Sequence, residues 1–119
     1  RLVKGFYDTY DIDDWADVTA NFERLMKCLL LNARRAAVAT HDRAMIQSAT
    51  EWVPQAAGNV EFQFFAGVAD DMARELRQQG YGVRLYVQYG DVAEFLLEGF
   101  PTFDKWRNLE RWLGIKPAH

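Results

Sequence analysis

Four places in this chain end an apolar or aromatic run on side chains that could hold a ligand. They are Lys4-Gly5-Phe6, Thr40-His41-Asp42, Gln63-Phe64-Phe65 and the stretch from Tyr86 to Gly90. Together they offer a cation, a hydroxyl, an imidazole, an amide and phenols. In the first, Gly5 lets the backbone come close to a bound group, while Arg1 and Lys4 supply donors. The set contains no cysteine, no metal-ligand cluster and no Ser-His-Asp arrangement. It suits a polar ligand with some anionic character, and a redox cofactor would fit, since the protein offers no strong nucleophile of its own. Each residue also has a plainer reading. Lys4 would be a solvated strand-end lysine, Asp42 a helix N-cap, Gln63 an amide that satisfies nearby backbone, and His41 a structural imidazole. His119, at the terminus, is uninformative.

Those four places lie where the carboxyl ends of four strands are expected: Leu2–Phe6, Ala36–Thr40, Glu61–Phe65 and Val83–Tyr89. Helical patterns separate them. The first runs from Asp13 to Leu31, with Asp13 or Asp14 as cap and Trp15, Val18, Phe22, Leu25, Met26, Leu29 and Leu30 at helical spacing. The second starts after Asp42, turns Met45, Ile46, Ala49, Trp52 and Val53 inward, and ends near Pro54. The third spans Ala69 to Gln79, presents Met72 and Leu76, and has Gly80 as its C-cap. Beyond the last strand, Asp91 can cap a short helix through Leu97, and Pro101 precedes an amphipathic helix over Phe103–Leu113. Strand–helix alternation with right-handed crossovers predicts a parallel α/β sheet, in which chemistry gathers at the carboxyl ends of strands.

The bulk composition narrows the classes. At 119 residues the chain fits one domain, residues 1–119, and half of it is hydrophobic, which argues against disorder. A net charge of −3 and a pI near 5.3 argue against nucleic-acid binding. No apolar run is long enough to span a bilayer. Cys28 excludes an intrachain disulfide, suits a reducing compartment and is expected to be a buried thiol. The fingerprints GxGxxG and GxxxxGK are absent. The chain opens on Arg1, against a strand and without a methionine, so it is expected to be part of something longer or a processed product.

The segments RLVKGFY, VATHDRAMI and VEFQFFAGVADDMARELRQQGYGVRLYVQYG resemble the second half of the proline dehydrogenase barrel, in the same order and spacing from Arg1 to about Gly90. The family reads RLVKGAY, ATHD or ATHN, EFQ-x-x-x-G and R-x-Y-x-P-x-G at these places. The resemblance implies a parallel (βα)4 half of a TIM-type (βα)8 barrel, completed by dimerisation or by an N-terminal half. It implies FAD as cofactor, proline or a similar cyclic amine as substrate, and a quinone-type electron acceptor. It implies oxidation of proline to pyrroline-5-carboxylate, in the cytoplasm or peripheral to the inner membrane, by a homo-oligomer. Arg1 would lie against the flavin near N5. Lys4, Gly5 and Phe6 would line the FAD, Thr40 and His41 would contact its phosphate or ribitol region, and Gln63 and Phe64 would sit beside it. Tyr86 would face the substrate and, with Arg1, form the catalytic pair.

The sequence departs from the family in three ways. The Arg-Arg-x-x-Glu motif that clamps the substrate carboxylate is missing: Pro101 and Thr102 stand where the arginines fall, and Arg107 and Arg111 share a face of the next helix. Those two arginines are expected to be solvated partners of Glu110 and Asp104. Phe6 replaces a small residue. The first four strands of the barrel, with their substrate-contacting lysine and aspartate, have no counterpart here. Four strands alone would expose two sheet edges and an apolar inner face, so the alternative to an enzyme is a non-catalytic half-barrel that dimerises.

Overall fold

The computed structural model describes residues 1–4 and 15–87. Four parallel strands form one sheet in the order β1-β2-β3-β4: β1 (Leu2–Val3), β2 (Arg35–Ala39), β3 (Asn59–Phe65) and β4 (Gly82–Tyr86). The crossovers are α1 (Trp15–Asn32), α2 (Arg43–Trp52) and α3 (Asp70–Gln78), with a short 3-10 turn at Val53–Gln55 after α2. The predicted alternation therefore holds. Sequential strands lie side by side, as short connections through a helix require.

The pleat divides the sheet into two chemistries. Register places Leu2, Val38, Phe62 and Val83 side by side, so they share one face. On that face Val38, Phe62 and Phe64 are sealed under Phe22, Met26 and Leu30 of α1, Met45, Ile46 and Ala49 of α2, and Met72 and Leu76 of α3. The other face carries Val3, Ala39, Gln63 and Arg84 in one row and Ala37 and Glu61 in another. This inner face was expected to be apolar. It is instead mixed: β3 and β4 place Glu61, Gln63 and Arg84 at inward positions, small residues floor it, and Val3, Phe65 and Tyr86 share the same face.

Local signals fix the helix ends. Asp42, extended at φ −75° and ψ 109°, accepts from the amides of Ala44 and Met45 through Oδ1 and caps α2. Pro54 sits in the 3-10 turn that closes α2, where its fixed φ stops the helix. At the end of α3, Gly80 takes φ +89°, and the Tyr81 amide reaches back to the Leu76 carbonyl at 3.0 Å. That is a Schellman closure, and it needs a residue without a side chain.

Two expectations about α1 are corrected. Leu25 is 38% exposed, and Cys28 is exposed rather than buried. The buried stripe is Phe22, Met26 and Leu30, four residues apart, and Leu25 and Cys28 fall to one side of it. The first strand is seen as Leu2–Val3 and the fourth stops at Tyr86, with Val87 beyond it. Gly5, Phe6, the Asp13/Asp14 cap, Asp91 and the helix expected over 103–113 lie outside the described residues. So do Pro101, Thr102, Arg107 and Arg111.

Candidate functional site

Where the strands end, an open cleft lies on the inner face, lined by Val3, Ala39, His41, Gln63 and Tyr86 from the four strand ends and by Arg1. Sequence order delivers each wall. Arg1 precedes β1, Ala39 and His41 end β2, Gln63 and Phe65 end β3, and Tyr86 is the last residue of β4.

Arg1 is braced from two sides. Its Nε donates to Gln63 Oε1 at 2.8 Å, and its guanidinium lies over the Tyr86 ring, 5.0 Å from the centroid. Among the described residues its two terminal nitrogens meet no hydrogen-bond acceptor. An arginine held this way offers planar donors and a full positive charge.

Lys4 behaves differently from its plain sequence reading as a solvated lysine. Its side chain is 2% exposed, and its ammonium contacts Asp42 Oδ2 at 2.5 Å and Thr19 Oγ1 at 2.9 Å. Strand parity explains this: Lys4 follows Leu2 by two residues and so turns toward the helices. Its backbone extends the sheet, the amide donating to the Ala39 carbonyl at 3.0 Å. Charge at the cleft therefore comes mainly from Arg1, because Asp42 already neutralises Lys4.

His41 is a neutral imidazole with a fixed tautomer. Its Nε2 accepts from the Phe65 amide at 2.9 Å, so its proton sits on Nδ1. The ring stacks on Phe65 and meets Phe64 edge-on. Burial pushes its pKa down from 6.5 to about 4. Thr40 lies behind it, 2% exposed, its Oγ1 accepting from the Asp42 amide at 3.1 Å. That bond closes the tight turn that leads into α2.

Of the predicted site residues, Arg1, Lys4, His41, Gln63, Phe64 and Tyr86 come together at the cleft. Thr40 shapes the turn beside it. Gly5 and Phe6 lie outside the described residues. The sequence reading did not single out Glu61 and Arg84. Glu61 accepts from Gln63 Nε2, and Arg84 Nε lies 2.9 Å from Glu61 Oε1. The signal for Glu61 was available, since a residue two before Gln63 on a strand must share its face. Among the described residues no three His, Cys, Asp or Glu side chains gather as a metal would need, and no helix is long and apolar enough to cross a membrane.

The family model described as proline dehydrogenase matches residues 1–97. The chain is 36% identical over 96 residues to the proline dehydrogenase of Deinococcus radiodurans, covering 76% of this chain and 31% of that protein. It is 35% identical over 96 residues to proline dehydrogenase 1 of Bacillus subtilis, and 32% identical over 97 residues to that organism's proline dehydrogenase 2, covering in each case 76% of this chain and 32% of the relative. The chain thus spans about a third of the length of the curated relatives it matches. No solved structure matches it significantly.

Proposed function

The chain belongs to the proline dehydrogenase family, and we propose that residues 1–119 act as one unit, the cofactor-facing half of a TIM-type barrel that oxidises proline to pyrroline-5-carboxylate. The observation that carries this reading is Arg1, set at the cleft with its terminal nitrogens turned to no described acceptor and its Nε fixed by Gln63. A planar, acceptor-bearing ring system such as the isoalloxazine of FAD fits these surroundings. The cleft supplies donors, aromatic edges and a neutral imidazole, with no carboxylate among the described residues of its lining.

In this reading FAD, when bound, supplies the hydride acceptor that the protein lacks. Arg1 sets its guanidinium against the ring and favours negative charge there. The strand end at Lys4, with Gly5 and Phe6, lines the cofactor through backbone. His41, held neutral with its proton on Nδ1, serves as a donor rather than a cation. Thr40 shapes the turn that carries it. Gln63 packs beside the cofactor, Phe64 borders it from the buried side of the strand end, and Tyr86 braces Arg1 and borders the space left for a cyclic amine. A quinone-type acceptor would take the electrons onward, with the protein cytoplasmic or peripheral to the inner membrane. The inner face of the sheet would be covered by the other half of the barrel, from the same polypeptide or from a second copy in a homo-oligomer.

The absence of an adjacent arginine pair at Pro101 and Thr102 favours a second reading, a half-barrel that retains the cofactor but does not turn over proline. One experiment separates the two. The purified protein is loaded with FAD, freed of excess, and mixed with L-proline under anaerobic conditions. Bleaching of the visible flavin band supports the dehydrogenase. Retained flavin that proline does not bleach supports the second reading, and no retained flavin overturns both.

A further inference from the structure

We propose that Glu61 is a positioning residue for Arg1, acting through the side-chain amide of Gln63. The functional weight of this inference rests on the reading of Arg1 as the ligand-facing cation, whereas the geometry stands independently. Glu61 and Gln63 are two apart on β3 and share the inner face. Arg1 reaches Gln63 from the β1 side, and Arg84 reaches Glu61 from β4.

The chemistry leaves one arrangement. A guanidinium can only donate and an ionised carboxylate can only accept. An amide placed between them satisfies both only with Oε1 toward Arg1 and Nε2 toward Glu61. Flipped, it would set its NH2 against the guanidinium and its oxygen against the carboxylate, two repulsions in place of two hydrogen bonds. Glu61 therefore decides which end of Gln63 Arg1 meets. Arg84 holds that carboxylate through Nε at 2.9 Å and a terminal nitrogen at 3.1 Å. The hydrogen bond from the Gln63 amide, with help from Arg84, keeps the Glu61 carboxyl below its ordinary pKa, so it stays ionised at neutral pH. Tyr86 restrains the guanidinium from its face but not its rotation in the plane, and that rotation is what the Gln63 bond fixes.

The test is side-chain NMR on the protein labelled with 15N-arginine and on a uniformly labelled sample. Hydrogen exchange is read at Arg1 Nε–H and at the backbone amides of β3. In the parent protein Arg1 Nε–H should be protected. Glu61→Ala should speed its exchange about tenfold, the equivalent of one charge-assisted bond, with the β3 amides unchanged. Adding Gln63→Glu to that variant should restore protection, because a carboxylate accepts from Arg1 whichever way it turns. A merely structural role for Glu61 would not be rescued in this way. If Glu61→Ala does not fold, the isosteric Glu61→Gln, whose amide no longer dictates an orientation, should show the same acceleration in smaller measure. Unchanged exchange at Arg1 in either folded variant, or an unprotected Arg1 in the parent, overturns the proposal. Failure to retain flavin would overturn the dehydrogenase reading and leave this exchange result to stand or fall separately.

Discussion

Lys4 and Asp42, 38 residues apart in sequence, meet as a buried ion pair with an N–O distance of 2.5 Å and side chains 2% and 8% exposed. The pair ties the end of β1 to the cap of α2. Thr19 of α1 accepts a further hydrogen bond from the Lys4 ammonium at 2.9 Å, so three elements join at one ammonium. Asp42 does two tasks at once: Oδ2 holds Lys4, while Oδ1 receives the first amides of α2.

Asp42→Asn separates those tasks, because asparagine caps a helix about as well as aspartate. The variant should keep α2 and break the buried Lys4–Asp42 ion pair, at a cost of about 3–5 kcal/mol. Lys4→Met combined with Asp42→Asn should cost less than Asp42→Asn alone, since the buried ammonium is then removed together with its partner's charge. Urea unfolding of both variants reads this directly. A loss below about 1 kcal/mol for Asp42→Asn would mean that the pair is held no more firmly than a surface one.

Buried His41 makes stability depend on pH in a defined window. With its folded pKa pushed down to about 4 from 6.5, the imidazole is neutral in both states above pH 6.5, and stability is then fully present. As pH falls from 6.5 toward 4, the unfolded chain takes up a proton that the folded one refuses, and roughly 3 kcal/mol is lost. Glu23 and Glu61, both lowered by hydrogen-bonded partners, add losses only below 4.5. Unfolding midpoints measured from pH 7.5 to 4.5 should therefore fall in the parent protein. They should stay flat over the same interval in His41→Gln, whose amide oxygen can still accept from Phe65.

Much of this was legible in the sequence, for identifiable reasons. Asp42 before an apolar-periodic run and Gly80 after one are local signals, and both do in the structure what their chemistry predicts. The parallel strand–helix alternation was readable from the periodicity, whereas the order β1-β2-β3-β4 appears only in the structure. Leu25 and Cys28 misled because α1 carries more apolar residues than its buried stripe can take, and periodicity cannot say which side is left out. The inner face misled for a different reason: its polarity lies in cross-strand pairs such as Glu61 and Arg84, 23 residues apart, and pairing appears only once register is known. The destination of the Lys4 side chain was within reach, since parity from Leu2 turns it toward the helices.

If Arg1 is the cation that meets the cofactor, its loss should weaken flavin binding more than the loss of any neighbour. Arg1→Gln removes a charge-assisted contact worth about 1.5–3 kcal/mol, or about ten- to a hundredfold in affinity. Tyr86→Phe keeps the ring under the guanidinium and should bind flavin nearly as the parent does. Tyr86→Ala removes that ring and should cost on the order of 1 kcal/mol. Fluorescence titration with FAD gives the order: parent, Tyr86→Phe, Tyr86→Ala, Arg1→Gln. An Arg1→Gln protein with parental affinity would contradict the assignment.

Gly58 marks where β2 and β3 begin to pair, and its requirement is steric. A Cβ built there would stand 2.1 Å from the Arg34 carbonyl oxygen and 2.5 Å from its carbonyl carbon. The same oxygen accepts from the Asn59 amide at 3.0 Å, the bond that precedes the Arg35–Asn59 register pair. The obstacle is backbone, so no side-chain rotation can relieve it, and the two strands must separate or shift. Gly58→Ala should therefore destabilise by about 2–3 kcal/mol, the range for an overpacked interior. Gly67→Ala makes a useful control, because at φ +83° it has nothing within 4 Å of the added carbon and suffers only from its backbone angle. Its loss should be nearer 1 kcal/mol. Thermal unfolding of the two side by side decides the matter. A Gly58→Ala protein as stable as Gly67→Ala would show that the start of the β2–β3 ladder yields more readily than its close approach implies.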